Sequence, residues 1–142
     1  MEATPGGNRQ SDRLDGVRFL SSWFKNPKSV GAIAPSGAAL SRTMAAIVDP
    51  LVNGAIVELG PGTGPVTAAL IGRGIDPKRL VLVEYDPEFC VALRGKFPDV
   101  KVVHGDAFAL DQTLQGHVNF PLAAIVSSLP LLNFAPEERQ RL

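Results

Sequence analysis

The sequence predicts an α/β fold, a parallel sheet with helices on its faces. Three observations point there. Short apolar runs at 55–59, 80–84, 100–103 and 122–127 alternate with segments of helical period. The first run ends in Glu58-Leu59 and passes directly into Gly60-Pro61-Gly62-Thr63-Gly64, with glycines at i, i+2 and i+4. The second run ends in a carboxylate, Glu84. A strand, a turn too tight for Cβ atoms and a helix behind it make a place where a cofactor can lie against bare backbone.

The elements follow in order. Residues 1–11 are Gly, Asn, Ser and charge, and are expected to be a disordered tail. Ser11 or Asp12 caps a helix running to about Lys25, with Leu14, Val17, Leu20 and Phe24 apolar and Phe19 and Trp23 flanking them. Asn26-Pro27 stops it. Arg13, Arg18, Lys25 and Lys28 surround it with positive charge. Two readings stay open for this helix: docked on the core, or lying at an anionic lipid surface. Ser36 is expected to cap a second helix over 37–48, with Leu40, Met44, Ile47 and Val48 on one face and Asp49-Pro50 ending it. Residues 12–50 therefore read as an N-terminal helical segment, a membrane or pocket lid.

Residues 51–142 read as a partial cofactor-binding core. Strand one is Ala55–Leu59, and the helix after the glycine turn runs from Pro65 to Arg73. Gly74 and Pro77 punctuate the return. Strand two is 80–84, and Pro87 opens a helix over 87–96 carrying Phe89, Leu93 and then Phe97. Strand three, 100–103, leads into Gly105-Asp106-Ala107 and a weak turn or helix over 108–114. Strand four, 122–127, exits through Leu129-Pro130-Leu131-Leu132. A doubly wound domain continues on the far side of strand one, and an apolar edge there invites aggregation. The expectation is that C-terminal sequence is missing, or that a partner covers strand four.

Composition narrows the function. The formal net charge is zero, so no basic field spans the domain and nucleic acid is read as an unlikely partner. Cys90 is the single cysteine, and His104 and His117 are isolated, so neither a disulfide framework nor a metal site is expected. No run reaches the ~20 apolar residues of a membrane span, and no signal peptide opens the chain. The location expected from these features is cytoplasmic, with the membrane surface left open.

The motif chemistry separates cofactors. Dinucleotide folds use G-x-G-x-x-G. Here the spacing is Gly60-x-Gly62-x-Gly64, and Glu58 stands beside the turn, where a pyrophosphate would be repelled. Glu58 can instead accept from an amino group or order the loop, which suits a sulfonium amino-acid cofactor. Glu84 can grip a ribose diol in either class. Asp106, just after strand three, can accept from an adenine amine, or cap the turn that follows.

With these residues in place, 55–130 resembles the class I S-adenosylmethionine-dependent methyltransferases. Glu58 to Gly64 matches their first motif, Glu84-Tyr85-Asp86 their ribose-binding acid, and Gly105-Asp106-Ala107 their adenine segment. The resemblance implies a Rossmann-like sheet and S-adenosylmethionine as methyl donor. A narrower resemblance covers most of the chain: Phe19-Leu20 to Ser36, and Ser127-Ser128-Leu129-Pro130-Leu131-Leu132, are similar to bacterial phospholipid N-methyltransferases. Many of those have Ser-Gly-Leu-Pro where Ser128 stands here. This resemblance implies methylation of phosphatidylethanolamine towards phosphatidylcholine at an anionic phospholipid surface. The chain is also similar to ribosomal RNA adenine dimethylases, which carry an aromatic where Leu131 stands. RNA adenine N6-methylation is the enzymatic alternative, and a non-catalytic membrane- or partner-binding module is the other.

The resemblance assigns roles. Gly60, Pro61, Gly62 and Gly64 hold the cofactor backbone, with Glu58 beside them. Glu84 takes the ribose. Tyr85, Asp106 and Ala107 meet the adenine, and Pro35 and Ser36 close the methionine end. Ser127, Ser128 and Leu129 position the acceptor through backbone or side chain. Arg18, Phe19, Trp23, Phe24, Lys25 and Lys28 meet the membrane.

Overall fold

The computed structural model describes residues 34–119, 121–131 and 135–140. Expectations for the tail, the first helix and its membrane-facing residues Arg18, Phe19, Trp23, Phe24, Lys25 and Lys28 lie outside the described residues. Helix α1 spans Ala34–Ile47, β1 Ile56–Leu59, α2 Pro65–Gly72 and β2 Leu80–Glu84. Helix α3 spans Pro87–Lys96, β3 Lys101–His104, α4 Leu110–Thr113, β4 Ala124–Ser127 and α5 Pro136–Arg139. Single 3-10 turns sit at Pro77–Arg79 and Ala107–Ala109.

All strand pairs are parallel, in the order β3-β2-β1-β4. The chain therefore reverses its direction of travel across the sheet between β1 and β4. In open α/β sheets, ligands bind outside the carboxyl ends of the strands at such a switch point.

Strand alternation sends the core to both faces. Ile56, Leu80, Leu82 and Val126 pack with Ala45 of α1 and Val48 just past its end, Val66 and Leu70 of α2, and Leu93 of α3. Val57, Leu59, Val81, Val83 and Val103 pack on the other face with Leu114, Leu110 and Leu122. Fully burying one such side chain contributes about 1.5–3 kcal/mol, so the two layers dominate the sheet's stability. Cys90 belongs to this interior, and burial pushes its thiol pKa up.

The strand and helix positions agree with the sequence reading, with three corrections. Helix α1 begins at Ala34, so Ser36 lies inside it rather than capping it. Its inward face is Ser41 and Ala45, with Met44 partly buried and Val48 buried just past the helix end, while Leu40 and Ile47 are 60% and 82% exposed. The helix is turned by about one residue from the most apolar stripe, because small residues let it approach α2 closely. The polar cost at Ser41 is removed by its hydroxyl donating to Gly37 O at 2.7 Å. The third correction is to the strand ends: β1 starts at Ile56, β3 runs one residue later than expected, over Lys101–His104, and β4 is shorter, beginning at Ala124. Among the described residues β4 is an edge strand, with Ile125 53% exposed.

The segment between α1 and β1 is held by one side chain. Arg79 donates from Nε to Gly54 O at 3.0 Å, from Nη1 to Pro50 O at 2.8 Å, and from Nη2 to Val52 O.

Candidate active site

The glycine turn is built from left-handed backbone. Gly60, Gly62 and Gly64 have φ of 64°, 57° and 81°, a region costing other residues roughly 1–2 kcal/mol. Gly60 N–H continues the β1–β2 ladder to Val83 O at 2.9 Å, and Gly64 N–H closes the turn on Pro61 O at 2.8 Å. Space adds to the constraint. A Cβ on Gly60 would stand 2.4 Å from Leu129 Cδ2, and one on Gly64 would stand 2.5 Å from Phe97 Cε2. Lys96 donates to Thr63 O at 2.9 Å and fixes the outer side of the loop. Pro65 then starts α2 with its φ already helical.

Glu84 ends β2 beside this turn and is buried. Its Oε2 accepts from Gly62 N–H at 3.0 Å, and its Oε1 accepts from the N–H groups of Tyr85 and Asp86 at 2.8 and 3.0 Å. The two motifs are thus joined directly. Asp86 caps α3 by accepting from Glu88 N–H and Phe89 N–H.

The adenine segment abuts the same edge. Gly105 N–H donates to Glu84 O at 3.0 Å. Asp106 Oδ1 accepts from Phe108 N–H at 2.8 Å and caps the turn beginning at Ala107. The capping alternative for Asp106 is therefore realised at one oxygen. Tyr85 is 40% exposed, and its ring meets His104 edge-on with centroids 6.2 Å apart.

Glu58 is different in kind. It points from β1 toward α2 and is 0% exposed. Thr67 Oγ1 donates to its Oε2 at 2.6 Å, and Ser128 Oγ donates to its Oε1 at 2.9 Å. Burial pushes its pKa from 4.5 up to about 7; the two hydroxyls oppose the rise and the charge of Glu84 adds to it. Both hydroxyl partners lie outside the glycine turn, one on α2 and one just past β4. Thr67 was missed by the sequence reading. Its signal was a polar residue next to Val66 on the buried face of α2.

At the end of β4, Ser128 N–H donates to Leu59 O at 2.8 Å, which sets the exit segment beside the glycine turn. Leu129 packs on Gly60. Ser127 pairs in register with Leu59, and its Oγ is the buried side-chain polar atom without a hydrogen-bond partner among the described residues. Gly60, Gly62, Glu84, Asp106, Ser127 and Ser128 thus share the carboxyl edge of one sheet. Pro35 and Ser36 lie in the first turn of α1, and their side chains are outside the described residues. Among the described residues, no group of His, Cys, Asp and Glu could hold a metal ion.

Comparison with known proteins resolves the family. The ribosomal RNA adenine dimethylase family matches residues 21–131, which carry every motif of this edge. The chain belongs to that family. It is 38% identical over 127 residues to an ornithine lipid N-methyltransferase of Singulisphaera acidiphila, covering 87% of this chain and 65% of that protein. It is 37% identical over 95 residues to the ribosomal RNA small subunit methyltransferase A of Bradyrhizobium diazoefficiens, covering 64% of this chain and 32% of that protein. The chain thus spans about two thirds of one relative and about one third of the other. Among solved structures, the glycopeptide N-methyltransferase MtfA in complex with S-adenosyl-L-methionine superposes with a TM-score of 0.53 at 21% identity, over 75% of this chain and 46% of that one. That likeness establishes the class I methyltransferase fold, a Rossmann-like parallel sheet flanked by helices.

One expectation is overturned. Nucleic acid was read as an unlikely partner from the zero net charge, yet the family matched is one of RNA adenine dimethylases. Net charge is a weak guide here, because single-stranded RNA is read by local stacking and base-edge contacts rather than by a whole-domain field.

Proposed function

We propose that this chain carries the methyl-donor half of an S-adenosylmethionine-dependent N-methyltransferase. One observation carries the reading: Gly62 N–H meets Glu84 Oε2 at 3.0 Å, at the switch point of the sheet, inside the family-matched segment. Bare backbone and an anion sit side by side, as an adenosyl ribose requires. Support for this donor also comes from the glycopeptide N-methyltransferase MtfA, whose solved complex contains S-adenosyl-L-methionine.

Gly60 and Gly62 would face the donor's amino-acid portion, Glu84 its ribose hydroxyls and Asp106 its adenine. The donor supplies a methyl group on a positively charged sulfur. The protein's part is placement, since charge moves from sulfur to nitrogen without a new charge forming. Ser127 and Ser128 sit where the strand end meets the donor side, and their oxygens would accept from the nitrogen as it becomes cationic.

The acceptor is a nitrogen. The family match and the small-subunit methyltransferase relatives support adenine N6 in ribosomal RNA. A second reading, the head-group amine of an amino lipid, is favoured by two observations. The ornithine lipid relative matches over 87% of this chain. Leu131 also stands where the adenine dimethylases carry an aromatic that stacks on a flipped base. Phosphatidylethanolamine belongs to this second class. On that reading the protein works peripherally; among the described residues no helix is long and apolar enough to cross a membrane.

The test supplies labelled methyl donor with a small-subunit ribosomal RNA fragment, or with vesicles containing ornithine lipid or phosphatidylethanolamine. Label in RNA establishes the first reading and label in lipid the second. Saturable donor binding with transfer to neither acceptor would leave a binding module and refute both.

A further inference from the structure

We propose that Glu58 is a positioning residue and proton store for the acceptor nitrogen, reached through the Ser128 hydroxyl. This rests on the N-methyltransferase reading above.

A nitrogen acceptor must give up a proton during methylation. An alkylammonium keeps its proton to about pH 10, so a proton must leave before its lone pair can attack. An adenine amine must shed one after attack. A group that takes this proton has to lie within one or two hydrogen bonds of the nitrogen. Among the described residues at the β1 and β4 ends, Glu58 is the carboxylate bonded to the acceptor segment, through Ser128 Oγ at 2.9 Å.

The carboxylate cannot meet substrate itself, since it is 0% exposed. Ser128 is half-buried and one residue past β4, so it faces both ways. Glu58 is held from behind by Thr67 Oγ1 at 2.6 Å. A hydroxyl that donates to a carboxylate keeps its lone pairs free to accept from an incoming N–H. The proton balance closes. The ammonium N–H bond breaks and its proton goes to Ser128 Oγ. The proton already on Ser128 Oγ passes to Glu58 Oε1. The neutral amine then attacks the methyl carbon, and the electron pair of the breaking C–S bond stays on sulfur. Solvent resets the carboxylic acid through the same hydroxyl.

The affinity for that proton fits the task, because burial brings the Glu58 pKa up to about 7. The register partners of Glu58 are Leu82 on β2 and Val126 on β4, α2 contributes Thr67, and the charged group acting on it is Glu84 at the end of β2.

The experiment compares the full chain with Glu58→Gln and Ser128→Ala. Glu58→Gln keeps the shape and one acceptor but cannot take a proton. Donor affinity by calorimetry should stay within about threefold in both, while methyl transfer falls by about 100-fold or more in Glu58→Gln. The acid limb of the wild-type rate profile near neutral pH should vanish in that variant. An acid limb kept at its wild-type midpoint in Glu58→Gln overturns the proposal. A second readout needs no turnover: the infrared band of the protonated Glu58 carboxyl, absent in Glu58→Gln, followed against pH with ethanolamine and S-adenosylhomocysteine present. A band that ethanolamine strengthens in wild type and not in Ser128→Ala supports the relay. A band indifferent to ethanolamine refutes it. Wild-type protein that methylates neither RNA nor lipid would instead sink the functional reading, with the infrared result still deciding the relay.

Discussion

Replacing Glu58 by glutamine should change how stability depends on pH, by an amount the structure sets. The Glu58 carboxyl titrates at about 7 in the folded chain, against an ordinary 4.5, with burial the largest cause. Between these values the folded state holds one more proton than the unfolded state. Stability then falls as pH rises, by about 1.4 kcal/mol per pH unit. Below the ordinary value both states are protonated and the buried site is neutral. Above the folded value both are ionised, and the fold carries a buried charge at full cost. Glutamine never ionises, so the stability of Glu58→Gln relative to wild type should rise by about 2–3 kcal/mol between about pH 5 and about pH 8. Urea unfolding of both proteins at the two pH values measures it, with the other carboxylates cancelling in the difference. A difference that stays constant with pH would refute the buried, proton-holding account of Glu58. This rise in relative stability with pH is expected together with the loss of turnover.

Three further outcomes are expected. Gly60→Ala imposes a left-handed alanine and drives its Cβ to 2.4 Å from Leu129, so thermal melting should show a loss of at least about 1–2 kcal/mol; an unchanged midpoint would contradict the turn geometry. Glu84→Ala removes the acceptor of the Gly62, Tyr85 and Asp86 N–H groups, and calorimetry should show S-adenosylmethionine binding weakened by about tenfold or more. Arg79→Ala frees the carbonyls of Pro50, Val52 and Gly54, and amide exchange across 50–54 should quicken, with about 1–3 kcal/mol lost overall; protection equal to wild type would show that the guanidinium clamp contributes nothing.

Much of the fold is local and so was legible. Apolar runs of strand length and Pro65 and Pro87 at helix starts declare their elements without tertiary help. The glycines at 60, 62 and 64 announce positive φ, because other residues avoid it. Of the residues expected on the inward face of α1, Met44 and Val48 meet the core and Leu40 and Ile47 do not, for an equally physical reason. Hydrophobicity favours Leu40 and Ile47, but close approach to α2 favours Ser41 and Ala45, and packing won.

By itself, then, the chain determined where strands end, where the backbone must turn left-handed and which carboxylates stand at strand ends. Those are short-range matters of sterics and hydrogen bonding. Only the tertiary structure decided that Ser128 and Thr67 would grip the same buried oxygen pair of Glu58. Ser128 lies 70 residues away and Thr67 nine, and β4 reaches β1 only by crossing the sheet. Strand order is a global property, so a proton affinity that depends on it cannot be written in any one segment.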